Sequence, residues 1–183
     1  MARILAFAGS LRKNAYSKRV LNAAIDGARE AGAEVTLLDL GDYPMPLYNA
    51  DDDFDANALR FQDVLKEHDG LIISSPEYNG SLPGGMKNAI DWASRVSDKY
   101  TMNEVFAGKT AAMITSSPGA FGGLRCLAHL RGVLTIMGVN VLPVEIAVSF
   151  VGQKFDDDGW EMTDEKFKGI LANLGASLAK SLK

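Results

Sequence analysis

Three short segments of the chain carry residue types that could do chemistry. The first, residues 9–17, reads Gly-Ser-Leu-Arg-Lys-Asn-Ala-Tyr-Ser between an apolar run and an amphipathic stretch. Ser10 and Ser17 offer hydroxyl donors, and Arg12 offers a charged fork. Where such a segment opens a helix, the unpaired amides and the positive dipole end suit a phosphate. The same residues also read as a plain turn with Ser17 as a helix N-cap. The spacing is neither Walker A nor G-x-G-x-x-G. A single phosphate suits it better than a pyrophosphate.

The second segment, residues 75–84, is Ser-Pro-Glu-Tyr-Asn-Gly-Ser-Leu-Pro-Gly. Tyr78 could flank an aromatic ring, Asn79 both donates and accepts hydrogen bonds, and Gly80 lets backbone approach a ligand. The plainer alternative is a Pro/Gly turn with Tyr78 on the surface. The third, residues 116–123, is Ser-Ser-Pro-Gly-Ala-Phe-Gly-Gly. It is either a tight ligand-hugging turn or a flexible connector.

The elements around these segments give them a common place. Residues 4–8 form a continuous apolar run, as in a strand buried on both faces. Residues 16–31 carry Val20, Leu21, Ala24, Ile25 and Ala28 at helical spacing, and Gly32 follows as a C-cap glycine. A second strand is expected at 35–38, then a long acidic loop over 39–55. A helix over 56–68 and a third strand at 71–75 follow. A loop at 76–85 leads into a helix over 86–95. A fourth strand at 110–115, a helix over 124–137, a fifth strand at 139–148 broken by Pro143 and a closing helix over 166–182 complete the chain. Alternating short strands and helices specify a parallel α/β sheet. Right-handed crossovers then predict a doubly wound, five-stranded sheet in the order 2-1-3-4-5, with helices on both faces. In that order ligands bind outside the carboxyl ends of strands 1, 3 and 4. The three polar segments fall at those ends.

The 183 residues suffice for one domain with a sizeable core, so residues 1–183 are expected to form a single unit. Hydrophobic residues at 47% and charged residues at 23% are an ordinary globular balance. A net charge of -4 does not favour nucleic acid or an anionic membrane surface. The apolar start is too short for a signal peptide or a membrane span. One cysteine, Cys126, excludes an intramolecular disulfide and suits a reducing cytoplasm. With two histidines and that cysteine, no ordinary Cys/His zinc site is expected, and no metal is assigned.

The first two segments, with Lys87-Asn88-Ala89-Ile90-Asp91-Trp92 after them, resemble the NADPH-dependent FMN reductase family. The likeness runs over about residues 3–138 and leans toward the bacterial quinone, chromate and azo-dye reductases. It implies a flavodoxin-like fold. It also implies that Ser10, Arg12 and Ser17 bind the FMN phosphate. Pro76, Glu77, Tyr78, Asn79 and Gly80 would line the isoalloxazine and ribityl chain. Ser116, Ser117 and Gly119, with Gly122 and Gly123, would edge the ring on its other side. One position departs: many relatives have asparagine directly after the phosphate-site serine, and here Lys18 stands there.

The activity implied is ping-pong electron transfer from NADPH or NADH through FMN to a small acceptor: a quinone, chromate, an azo compound or free flavin. FMN carries that chemistry, so no catalytic side chain is named. Tyr78 and Arg125 are candidates to seat the substrate. A homodimer or homotetramer is implied, with Trp92 and Arg95 either at the subunit contact or, for Trp92, in the core. The alternative function is a flavodoxin-type electron carrier. A scaffold without flavin is a third reading.

Residues 154–165 match a calcium loop at Asp156, Asp158, Gly159 and Glu165, but Lys154 occupies the first ligand position and no helix is expected before it. Asp51, Asp52 and Asp53 read as a solvated loop. Cys126 is expected to pack in its helix. His68 and His129 are expected at helix ends or facing solvent.

Overall fold

The computed structural model describes residues 1–156 and 159–182. The elements run β1 (Arg3–Ala8), α1 (Tyr16–Glu30), β2 (Glu34–Asp39), α2 (Ala56–Lys66), β3 (Gly70–Pro76), α3 (Gly84–Ala93), β4 (Thr110–Ser116), α4 (Leu124–Ile136), β5 (Asn140–Val141), β6 (Ile146–Val148) and α5 (Glu165–Ser181). The strands lie parallel in the order β2-β1-β3-β4-β5, with β6 also paired to β4. The order matches the sequence expectation. The expected fifth strand is divided in two: its first piece pairs at Thr110 and Ala111, its second at Ile114, Thr115 and Ser116. Pro143, which has no amide to donate, lies between the pieces.

Alternation along the strands sorts the core into two layers. Ile4, Ala6, Ala8, Ile72, Ala112 and Ile114 face α1 and α5. Leu5, Phe7, Leu71, Ile73 and Met113 face α2, α3 and α4. Both faces of the central strands are therefore dry, which explains why 4–8 reads as an unbroken apolar run rather than an alternating one.

The layer of α1 and α5 depends on two glycines. A Cβ on Gly27 would lie 2.0 Å from the carbonyl oxygen of Ala172, and one on Gly175 would lie 1.8 Å from that of Ala24. The helices touch backbone to backbone at these points, so neither position tolerates a methyl group without displacing a helix. Gly169, on the same α5, has no atom within 4 Å of an added Cβ. Gly175→Ala should therefore destabilise by about 1–3 kcal/mol through overpacking, a drop of several degrees in Tm. Gly169→Ala should be neutral or stabilising by up to about 1 kcal/mol through helix propensity. Thermal unfolding of the two variants checks the contrast.

Candidate functional site

The carboxyl ends of β1, β3 and β4 bring the three polar segments to one edge of the sheet. Pro76 and Ser116 are register partners at that edge, and the Gly9 amide donates to the Ser74 carbonyl at 2.8 Å.

Segment 9–17 turns from β1 into α1. The helix N-cap is Ala15, whose side chain cannot cap, so the first-turn amides of α1 have no side-chain acceptor. Ser17 is thus not the cap. It is the second residue of the first turn, buried, and its Oγ has no partner among the described residues. Ser10 is also buried, and its Oγ accepts from the Arg12 amide at 3.3 Å. The Arg12 side chain is exposed and makes no hydrogen bond or ion pair with the described residues. Lys18 turns the other way. Its Nζ lies 2.5 Å from Asp39 Oδ2 at the end of β2. Burial raises the Asp39 pKa, but the Lys18 ammonium and the Gly41 amide outweigh it and hold this carboxyl below the usual range.

Three more hydroxyls are buried at this edge without a partner among the described residues: Ser74, Thr115 and Ser116. Alternation puts Ser74 and Ser116 on the α1 side of the sheet and Thr115 on the opposite side. A buried hydroxyl without a hydrogen bond costs about 1–3 kcal/mol, and such groups normally find a partner. The orphaned Ser17 hydroxyl, the uncapped helix end and the free Arg12 fork together fit a phosphate. FMN, the cofactor implied by the resemblance, is thus compatible with the donor set present.

Residues 78–81 form a hairpin turn. Tyr78 and Ser81 exchange backbone hydrogen bonds at 2.9 and 3.0 Å, with Asn79 at φ 51° and Gly80 at φ 77° between them. This is the turn that Asn-Gly favours, both central residues being left-handed. The Gly80 conformation alone requires glycine, whether or not a ligand comes close. Tyr78 is 45% exposed. Glu77 points away from the turn to α4. Its Oε1 accepts from Arg125 Nε at 2.9 Å and Nη2 at 2.7 Å, and its Oε2 accepts from the Cys126 amide at 3.1 Å. Burial raises the Glu77 pKa, yet these donors prevail and keep the carboxyl ionised below its ordinary value.

Segment 116–123 is stitched to the end of β6: the Ser117 amide donates to the Val148 carbonyl and the Phe150 amide to the Gly119 carbonyl. Ser117 Oγ accepts from the Gly119 amide at 3.1 Å. A Cβ on Gly122 would lie within 2.9 Å of backbone atoms of residues 147–149, and one on Gly123 would lie 2.8 Å from Thr115 Cβ. Both have positive φ. These glycines serve chain packing first. Phe121 is exposed, with Arg125 over its ring.

A scan of the chain against family models matches residues 2–153 to NADPH-dependent FMN reductase. The chain belongs to the NADPH-dependent FMN reductase family. Among its relatives are an NAD(P)H-dependent FMN reductase of Pseudomonas aeruginosa, 35% identical over 92% of this chain and 89% of that one. A quinone reductase of Escherichia coli is 34% identical over 96% and 91%. The solved flavoenzyme NAD(P)H:(acceptor) oxidoreductase of Paracoccus denitrificans superposes with a TM-score of 0.83 at 30% identity, covering 100% of this chain and 97% of that one.

The family's lysine-asparagine-alanine-isoleucine-aspartate-tryptophan helix has a structural explanation here. Trp92 Nε1 and Asn88 Nδ2 both donate to the Pro46 carbonyl at 2.8 Å, and Asn88 Oδ1 accepts from the Tyr48 amide. Tyr48 and Phe54 meet the Trp92 ring edge to face. Trp92 is therefore core, and with Asn88 it pins the long loop after β2. Cys126 is buried in α4, 3.4 Å from Ser75 Oγ, and burial pushes its thiol pKa up. His68 lies just past α2 but is buried, against the Val64 carbonyl and Thr36 Oγ1, rather than facing solvent. Asp51, Asp52 and Asp53 are exposed. Of the calcium-like positions, Asp158 lies outside the described residues. Lys154 pairs with Asp164, and the Glu165 end opens α5.

Proposed function

We propose that residues 1–183 form one FMN-binding unit that catalyses electron transfer from NADPH or NADH to a small acceptor, with quinones as the first class to test. The observation that carries this reading is the end of α1: uncapped amides, a buried unpartnered Ser17 hydroxyl and an unpaired Arg12 fork. Ser17, Ser10 and Arg12 hold the phosphate. Tyr78, Asn79 and Gly80, following Pro76 and Glu77, flank the ring on one side, and Ser116, Ser117, Gly119 and Gly122 on the other. Ser74 and Thr115 add donors at the sheet edge. FMN held by these residues would supply two-electron redox chemistry between a nicotinamide and the acceptor. Tyr78 and Phe121 are both exposed, and if nicotinamide and acceptor share one face of the flavin they must take turns, which is the ping-pong order. The exposed Tyr78 and Phe121 rings give planar acceptors an apolar wall to stack on. Chromate, azo compounds and free flavin belong to the same acceptor panel.

A lone buried cysteine and nicotinamide-dependent chemistry suit the cytoplasm. Among the described residues, no helix is long and apolar enough to cross a membrane. We also propose a homodimer or homotetramer. Val96, Met102 and Ile136 are exposed beside α3 and α4, a set of apolar side chains that a second copy would cover.

Mixing the FMN-loaded protein anaerobically with NADPH or NADH should bleach the flavin, and added quinone should restore its colour. A flavin that stays oxidised would mark an electron carrier instead. Arg12→Ala should weaken FMN by about 1.5–3 kcal/mol, roughly tenfold to a hundredfold, and leave riboflavin affinity unchanged, because riboflavin has no phosphate. Equal losses for both flavins would remove Arg12 from the phosphate site. Sedimentation should give the mass of two or four chains; a single-chain mass at working concentration would refute the oligomer.

A further inference from the structure

The residues on one face of α4 are not used by the function above, yet they hold the hairpin at both ends. Arg125 and His129 are four residues apart and so share a helix face. Arg125 grips Glu77, the residue before the hairpin, through two hydrogen bonds to one carboxylate oxygen. The Cys126 amide, in the first turn of the same helix, takes the other oxygen. His129 Nδ1 lies 2.9 Å from Ser81 Oγ, at the far end of the turn. Between these anchors the Arg125 side chain passes beneath Gly80, 3.8 Å from where a Cβ would stand. The hairpin is internally rigid, but a two-residue turn does not set its own tilt against the sheet. These contacts set it.

We propose that Arg125 and His129 are positioning residues: a two-point clasp from α4 that fixes the Tyr78–Asn79–Gly80 turn in the geometry that receives the flavin ring. This rests on the FMN-binding reading. α4 begins at Leu124, directly after the third segment, so the clasp makes the second and third segments move together. The contact is local to the ring end of the site, whereas Arg12 acts at the phosphate end. The two ends therefore have separable signatures.

The test is a titration of the full chain with FMN and with riboflavin, for wild type and variants, alongside thermal melting and visible circular dichroism of the bound flavin. Arg125→Ala should weaken both flavins by the same factor, about tenfold, and change the flavin dichroism. The factor lies at the low end for a charged hydrogen bond because the Arg125 side chain is 63% exposed and water screens it. Arg125→Lys should restore only part, since an ammonium lacks the fork. Glu77→Gln combined with Arg125→Ala should be no worse than the more damaging single change. His129→Ala should show a smaller loss of the same kind. Melting temperatures should stay close to wild type, because the buried face of α4 is Cys126, Leu127, Leu130 and Leu134. Normal affinity for both flavins in Arg125→Ala, losses that multiply in the double variant, or a loss confined to FMN would overturn the clasp. If wild type binds neither flavin, the FMN reading fails and the clasp falls with it. If wild type binds, Arg12→Ala discriminates between the flavins and the Arg125 variants bind normally, the clasp alone fails.

Discussion

The site depends on where α1 stands, and α1 stands where it does because no side chain separates it from α5. Gly27 and Gly175 let the two backbones meet, with Ala172 and Ala24 carbonyls occupying the space that methyl groups would need. A helix held this close cannot shift along the sheet without unpacking Val20, Leu21, Ala24 and Ala28 from β1 and β3. Its first turn is consequently delivered to the end of β1, and its free amides with it. The position of the proposed anion site is thus set by packing about three helical turns further along α1.

The electrostatics of the site follow the same economy. The net charge of the chain is -4, yet the α1 end presents amides, hydroxyls and an arginine. Lys18, in the first turn of α1, is neutralised by Asp39, whereas Arg12 and its neighbour Lys13 are exposed and make no ion pair with the described residues. Glu77, an anion that would repel a phosphate or a reduced ring, is occupied by Arg125 and a backbone amide. The cations left without a partner beside the start of α1, Arg12 and Lys13, are ones that attract an anion.

Much of this was legible in the sequence, and the rest was not for physical reasons. Strand order followed from apolar runs and crossover lengths, because both are local properties plus one handedness rule. The three segments could be placed at one edge for the same reason. What the residues do inside those segments depends on partners far along the chain. Asn79-Gly80 is a strong turn signal, but whether the turn or a ligand demands the glycine is decided by φ. Glu77 meets a helix 48 residues later, and Trp92 meets Pro46, 46 residues earlier. No periodicity reports such pairs. Ser17 shows the converse: a serine near a helix start suggests a cap, but the turn closes two residues sooner and leaves the hydroxyl free for something else.

The division of the last strand has its own consequence. A sheet closed by a full-length outer strand would offer a continuous ladder of unpaired amides and carbonyls to any passing chain. Here the outermost position holds two residues, then a proline-bearing detour, then three residues. The opposite margin, β2, places Glu34 and Asp39 at its ends. The broken border and the charged ends of the other both discourage a foreign strand from adding edge to edge.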